Sequence, residues 1–89
     1  MWQLTPGQLF RFRQFDDEFL VFNDLSGDTH LLGDSAMHLL SVLQQGPHSS
    51  DALTDALAAA LGDVRDEAFD AQARAVLTQL ATLHLITPA

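Results

Sequence analysis

Residues Asp24–Leu43, DLSGDTHLLGDSAMHLLSVL, decide how this chain is read. Asp24-Leu25-Ser26-Gly27 is a turn in which Gly27 is free to take positive φ. It leads into a short strand, Asp28–Leu32. Gly33 alone separates that strand from a helix whose apolar positions, Ala36, Leu39, Leu40 and Leu43, follow the i, i+3, i+4, i+7 stripe. Asp34 or Ser35 is expected to cap the helix. A strand that runs straight into a helix is commoner in compact binding modules than in small enzymes, so the segment directs attention to recognition.

Upstream, Leu9–Arg13 alternates Leu-Phe-Arg-Phe-Arg and puts Phe10 and Phe12 on one face of a strand. A charged turn at Asp16–Glu18 follows. Phe19–Asn23 (FLVFN) is nearly all apolar and is expected to be covered on both faces. With Asp28–Leu32 these runs predict a three-stranded antiparallel meander. Downstream, Gly46-Pro47 ends the first helix. Ser49 or Ser50 caps a second helix through Leu61, with Leu53, Leu57 and Leu61 four apart and Gly62 closing it. A third helix is expected from about Asp66 to His84, with the stripe Phe69, Ala73, Val76, Leu77, Leu80 and Leu83. Leu85-Ile86 is expected to leave it as an apolar tail tucked under the sheet. There is no internal repeat, linker or low-complexity tract. The order is βββααα: an α+β fold, topologically a small winged helix-turn-helix with its meander placed first, in one domain over residues 1–89.

Bulk properties narrow the function. With 89 residues there is room for one core. No window is long or clean enough to cross a bilayer, and the opening MWQLTPGQLFRFR lacks an apolar run of signal-peptide length, so a cytoplasmic location is expected. Cysteine is absent, which removes disulfides, thiolate metal sites and a cysteine nucleophile. Four arginines and no lysine stand against twelve acidic residues, for a formal net charge of -8. Nucleic-acid binding draws on Lys and Arg replacing phosphate counterions, and this chain has few. The same balance opposes an anionic membrane surface. A basic or apolar peptide is an easier partner.

The residues that look chemical have plainer readings. Gly33-Asp34-Ser35 resembles the start of a hydrolase motif, but a nucleophile elbow wants Gly where Met37 stands. It also resembles the arm-bearing Asp-Ser of a carrier protein, yet carriers are helical bundles and the first third here alternates as strands. Helix capping accounts for it at ~1 kcal/mol. His30, His38, His48 and His84 form no close ligand pair, so neither a metal nor a cofactor is expected. A DNA-reading third helix should carry cations. This one offers Arg74, with Arg65 just ahead, against Asp66, Glu67 and Asp70.

The order of short signals resembles the PqqD family of small peptide chaperones. It is carried by Asn23–Leu32, then Ala36, Leu39-Leu40 and Leu43, then Gly46-Pro47-His48-Ser49, Leu77-Thr78-Gln79-Leu80 and Leu85-Ile86. The likeness runs from about Leu4 to Ile86. Trp2, Leu4, Phe10 and Phe12 look closest to a subgroup associated with a kinase related to HPr kinase. One departure is His84, where the family usually has Gly.

The resemblance implies a non-catalytic leader-peptide recognition element. Such a domain holds the leader of a ribosomally made precursor peptide and presents it to a peptide-modifying or kinase-like enzyme. The leader adds as a strand to the outer edge of the third strand, beside the third helix. Carried over by position, the peptide-binding residues are Asp28, Thr29, His30 and Leu31 on the strand, with Leu32 assigned to core. On the helix they are Asp70, Arg74, Leu77 and Ala81, with Arg74 as the cation for a leader carboxylate and Leu77 equally open to core packing. Other readings are an acidic adaptor that docks a kinase-like partner and binds no leader, and a DNA-binding winged helix. An exposed strand edge also leaves a homodimer open.

Overall fold

The computed structural model describes residues 1–7, 10–16, 18–23 and 27–89, with Phe15 described by its backbone alone. Five strands and three helices follow in the order β1 (Trp2–Leu4), β2 (Phe10–Phe15), β3 (Glu18–Asn23), β4 (Thr29–Leu32), α1 (Asp34–Leu43), α2 (Ser50–Leu61), α3 (Glu67–Thr82) and β5 (Ile86–Pro88). The expected meander is the antiparallel sheet β2-β3-β4. Leu9 and the turn residues Asp24, Leu25 and Ser26 lie outside the described residues. Gly27 has φ 79°, as its place in the turn requires, and its N–H donates to the Asn23 carbonyl at 2.8 Å.

Register decides which side chains meet the helices. Directly opposed residues share a face in an antiparallel sheet. Phe12 pairs with Val21, Val21 with His30, and Phe19 with Leu32. Val21 and Leu32 are buried, and Phe10 and Phe12 pack on the same core. The other face carries Arg11, Arg13, Leu20, Phe22, Thr29 and Leu31. The expectation that β3 is covered on both faces does not hold: Leu20 and Phe22 are half-buried and Leu31 is exposed. Antiparallel sheets tolerate one uncovered face.

The helices supply the other side of the core through Ala36, Leu39, Leu40, Leu43, Leu53, Leu57, Ala73, Leu77 and Leu80. The α2 and α3 caps follow the sequence. The Ser49 hydroxyl accepts from the Ala52 N–H at 3.1 Å, and Asp66 accepts from the Phe69 N–H at 2.8 Å. Gly62 closes α2 in the left-handed region. The α1 expectation needs correcting. Its N-cap is Gly33, without a side-chain cap bond, and Asp34 is already in the first turn. The strand hands over to the helix through one extended residue, so Asp34 acts only through its charge near the helix N-terminus.

A second correction concerns the chain ends. Leu85 and Ile86 are buried in the core they share with Val21 and Leu32 of the meander, but not as a tail. Ile86–Pro88 forms β5 and pairs antiparallel with β1, Trp2 opposite Pro88 and Leu4 opposite Ile86. This two-stranded sheet is why the simple βββααα order is incomplete. Trp2 is further held by mutual backbone bonds with His48 and by its indole Nε1, which donates to the Ser50 hydroxyl at 2.8 Å. Among the described residues no helix is long and apolar enough to cross a membrane.

Candidate functional site

Among the described residues β4 pairs only with β3, so it is an edge strand of the three-stranded sheet. The Asn23 N–H donates to the Asp28 carbonyl at 2.9 Å, which marks 23 and 28 as a hydrogen-bonded pair. Bonded and non-bonded pairs alternate along an antiparallel ladder. His30 and Leu32 therefore direct their backbone groups toward β3. Thr29 and Leu31 direct theirs outward, where a further strand can bond.

The side chains of the edge follow the pleat. Asp28 and Thr29 are exposed and His30 is half-buried opposite Val21. Leu31 is 56% exposed and Leu32 lies in the core, as expected of it.

The second half of the expected site is distributed differently. Asp70, Arg74 and Leu77 do share one recess, of about 300 Å³. Its other walls are Ser50, Asp51 and Thr54 of α2 and Arg65, without any β4 residue. Ser50 is also the partner of Trp2, so this flank of α3 looks toward the β1 side. Leu77 is 2% exposed and belongs to the core, with Ala81 half-buried against it.

Asp70 is engaged too. Arg65 donates from Nε to Asp70 at 2.7 Å, from Nη1 to Asp55 at 2.7 Å and from Nη2 to Asp51 at 2.6 Å. These carboxylates, Asp70 foremost, raise the Arg65 guanidinium above its already high ordinary range. Arg74 is exposed at the same recess.

The α3 flank nearer the end of β4 is the opposite one. Phe69, Gln72, Ala73 and Val76 line a cavity of about 340 Å³ with Ser35, Leu57 and Leu61. Ser35 stands three residues beyond Leu32, so this cavity adjoins the point where β4 becomes α1. Sequence reasoning assigned Phe69 and Val76 to the core stripe and passed over Gln72. Both apolar residues do touch the core while remaining partly open, which is the trait of a pocket wall. Among the described residues no group of three or more His, Asp or Glu is placed to hold a metal ion.

The described residues thus form a small α+β domain with an edge strand and, past the end of that strand, a largely apolar cleft. No family model matches the chain, and no curated protein matches it. Among solved structures it is similar to TbiB1 in complex with the TbiA(beta) leader peptide. The likeness covers 98% of this chain and 96% of that one, with a TM-score of 0.71 and 20% sequence identity. At that identity the likeness is one of fold.

Proposed function

We propose that this chain is a non-catalytic recognition element that binds the leader of a precursor peptide by strand addition to β4 and presents it to a modifying enzyme. The observation that carries the reading is the open β4 edge, with the backbone of Thr29 and Leu31 facing outward. The fold shared with a protein solved in complex with a leader peptide supports it. So does the PqqD-like order of sequence signals, whose kinase-associated subgroup suggests the kind of enzyme served. The leader strand hydrogen-bonds to Thr29 and Leu31, and an apolar leader side chain enters the cavity of Phe69, Gln72 and Val76. Ordering a flexible leader takes several kcal/mol from the gross interaction energy, so micromolar affinity is expected.

The test is an NMR titration of labelled protein with the leader half of a short open reading frame encoded nearby. Shifts are expected at residues 28–32 and at Phe69, Gln72 and Val76. Leu31→Pro sharpens it, because proline is tolerated where an edge N–H faces solvent but removes that donor. The variant should fold with an unchanged helix signal and bind the leader at least about tenfold more weakly, the scale of one lost main-chain hydrogen bond. Full affinity in a folded Leu31→Pro variant would place the leader elsewhere.

A further inference from the structure

We propose that the outer face of the β2-β3-β4 sheet is a second docking surface, shaped for an acidic amphipathic helix of a partner protein. Nothing in this needs a bound leader: the face lies away from the α3 flank and meets the β4 edge only at Leu31, whose side chain belongs to the face and whose backbone belongs to the edge. Leu20 and Phe22 project away from the core, next to Leu31 at 56% exposure. Strand β3 is thus apolar on both sides, the pattern of a strand sandwiched between two layers. The helices of this chain build only the inner layer, through the core of Leu39, Leu40, Leu53 and Leu80.

Charge and size choose the occupant. The chain is at -8, yet two of its four arginines, Arg11 and Arg13, lie on this face, with Glu18 at the hairpin end. Arg11 lies over the Phe22 ring, 5.6 Å from its centroid, so the charge a partner meets is chiefly that of Arg13. Arg13 is exposed. A matching surface carries aliphatic side chains with carboxylates beside them. Three strands at the usual spacing span about 14 Å, room for one helix of about 10 Å diameter. Six-residue strands run about 20 Å, the length of roughly 14 helical residues.

The probe is a synthetic peptide of that length with leucines at i, i+3, i+4 and i+7 and glutamates flanking them. A second version replaces every glutamate by lysine. Each is titrated into labelled full-length protein, with the wild type and Arg13→Glu compared. Shifts confined to Arg11, Arg13, Leu20, Phe22 and Leu31 with the glutamate peptide are expected. Binding should weaken about tenfold in Arg13→Glu, and the lysine peptide should bind far more weakly at the same salt. Arg13 is exposed, so the variant should fold, and its unchanged far-UV spectrum checks that. Equal binding of both peptides, shifts elsewhere, or no shifts at millimolar peptide would overturn the proposal. So would sedimentation showing that a second copy of this chain occupies the face.

Discussion

His84 has φ 61°, in the left-handed region, directly after the last turn of α3. Its N–H donates to the Ala81 carbonyl and the Leu85 N–H to the Leu80 carbonyl, both at 3.0 Å. That pair of bonds is the Schellman ending, whose pivot is usually glycine because a Cβ is disfavoured there. The PqqD resemblance implies a glycine at this position, and His84 stands here in the conformation that favours glycine. The His84 carbonyl also accepts from the Thr5 hydroxyl at 2.6 Å, a contact that any residue at the pivot preserves. His84→Gly should therefore stabilise the domain by about 0.5–1 kcal/mol, relief of strain being partly offset by a more flexible unfolded chain. Urea midpoints of the two proteins measure this, and an unchanged or lower midpoint would remove strain as the explanation.

At the scale of elements, Arg65 is the tie between α2 and α3. It sits in the loop joining them and holds Asp51 and Asp55 of α2 and Asp70 of α3. Exposed pairs contribute little singly, but removal of this cation leaves three carboxylates converging on one point. Arg65→Met is expected to destabilise the protein, and the loss should shrink as salt screens the exposed carboxylates. A loss independent of salt would mean that packing of the arginine stem matters more than its charge.

At this scale the edge position of β4 was legible in the sequence, and the placement of the two α3 flanks was not. Alternation and turn residues define β4, and an end strand of a meander has an open edge by construction. Helical periodicity groups residues into flanks but does not give the rotation of the helix about its axis. Asp70 and Arg74 stand on one side of the core line through Ala73, Leu77 and Leu80, and Phe69, Gln72 and Val76 on the other. Only tertiary packing, seen in Ser35 meeting the second group, shows which flank faces the start of α1.

For the whole molecule, the least legible feature is the β1–β5 sheet. Three-residue strands are too short to show alternation, and their partners lie at opposite ends of the chain with no turn between them to announce a hairpin. Yet Leu85 and Ile86 are 1% and 2% exposed and complete the core. A domain of this length has a stability of roughly 5–13 kcal/mol. Ile86→Ala should remove about 2–5 kcal/mol of it, a large fraction. Thr87→Ala, half-buried on the same strand, should remove well under 1 kcal/mol by the usual behaviour of substitutions away from a core. Thermal melts compare the two, and similar losses would show that the strand, and not the Ile86 side chain, is what the core needs. The Ala89 N–H donates to the Met1 carbonyl at 2.8 Å, so the first and last residues touch. Residue order along the chain is then nearly a matter of where the circle is cut. A circular permutant, with the old ends joined by a short glycine linker and new ends opened at Val64, 83% exposed between α2 and α3, should fold to the same structure. Such a protein can be spliced into a surface loop of an unrelated protein as a single inserted unit.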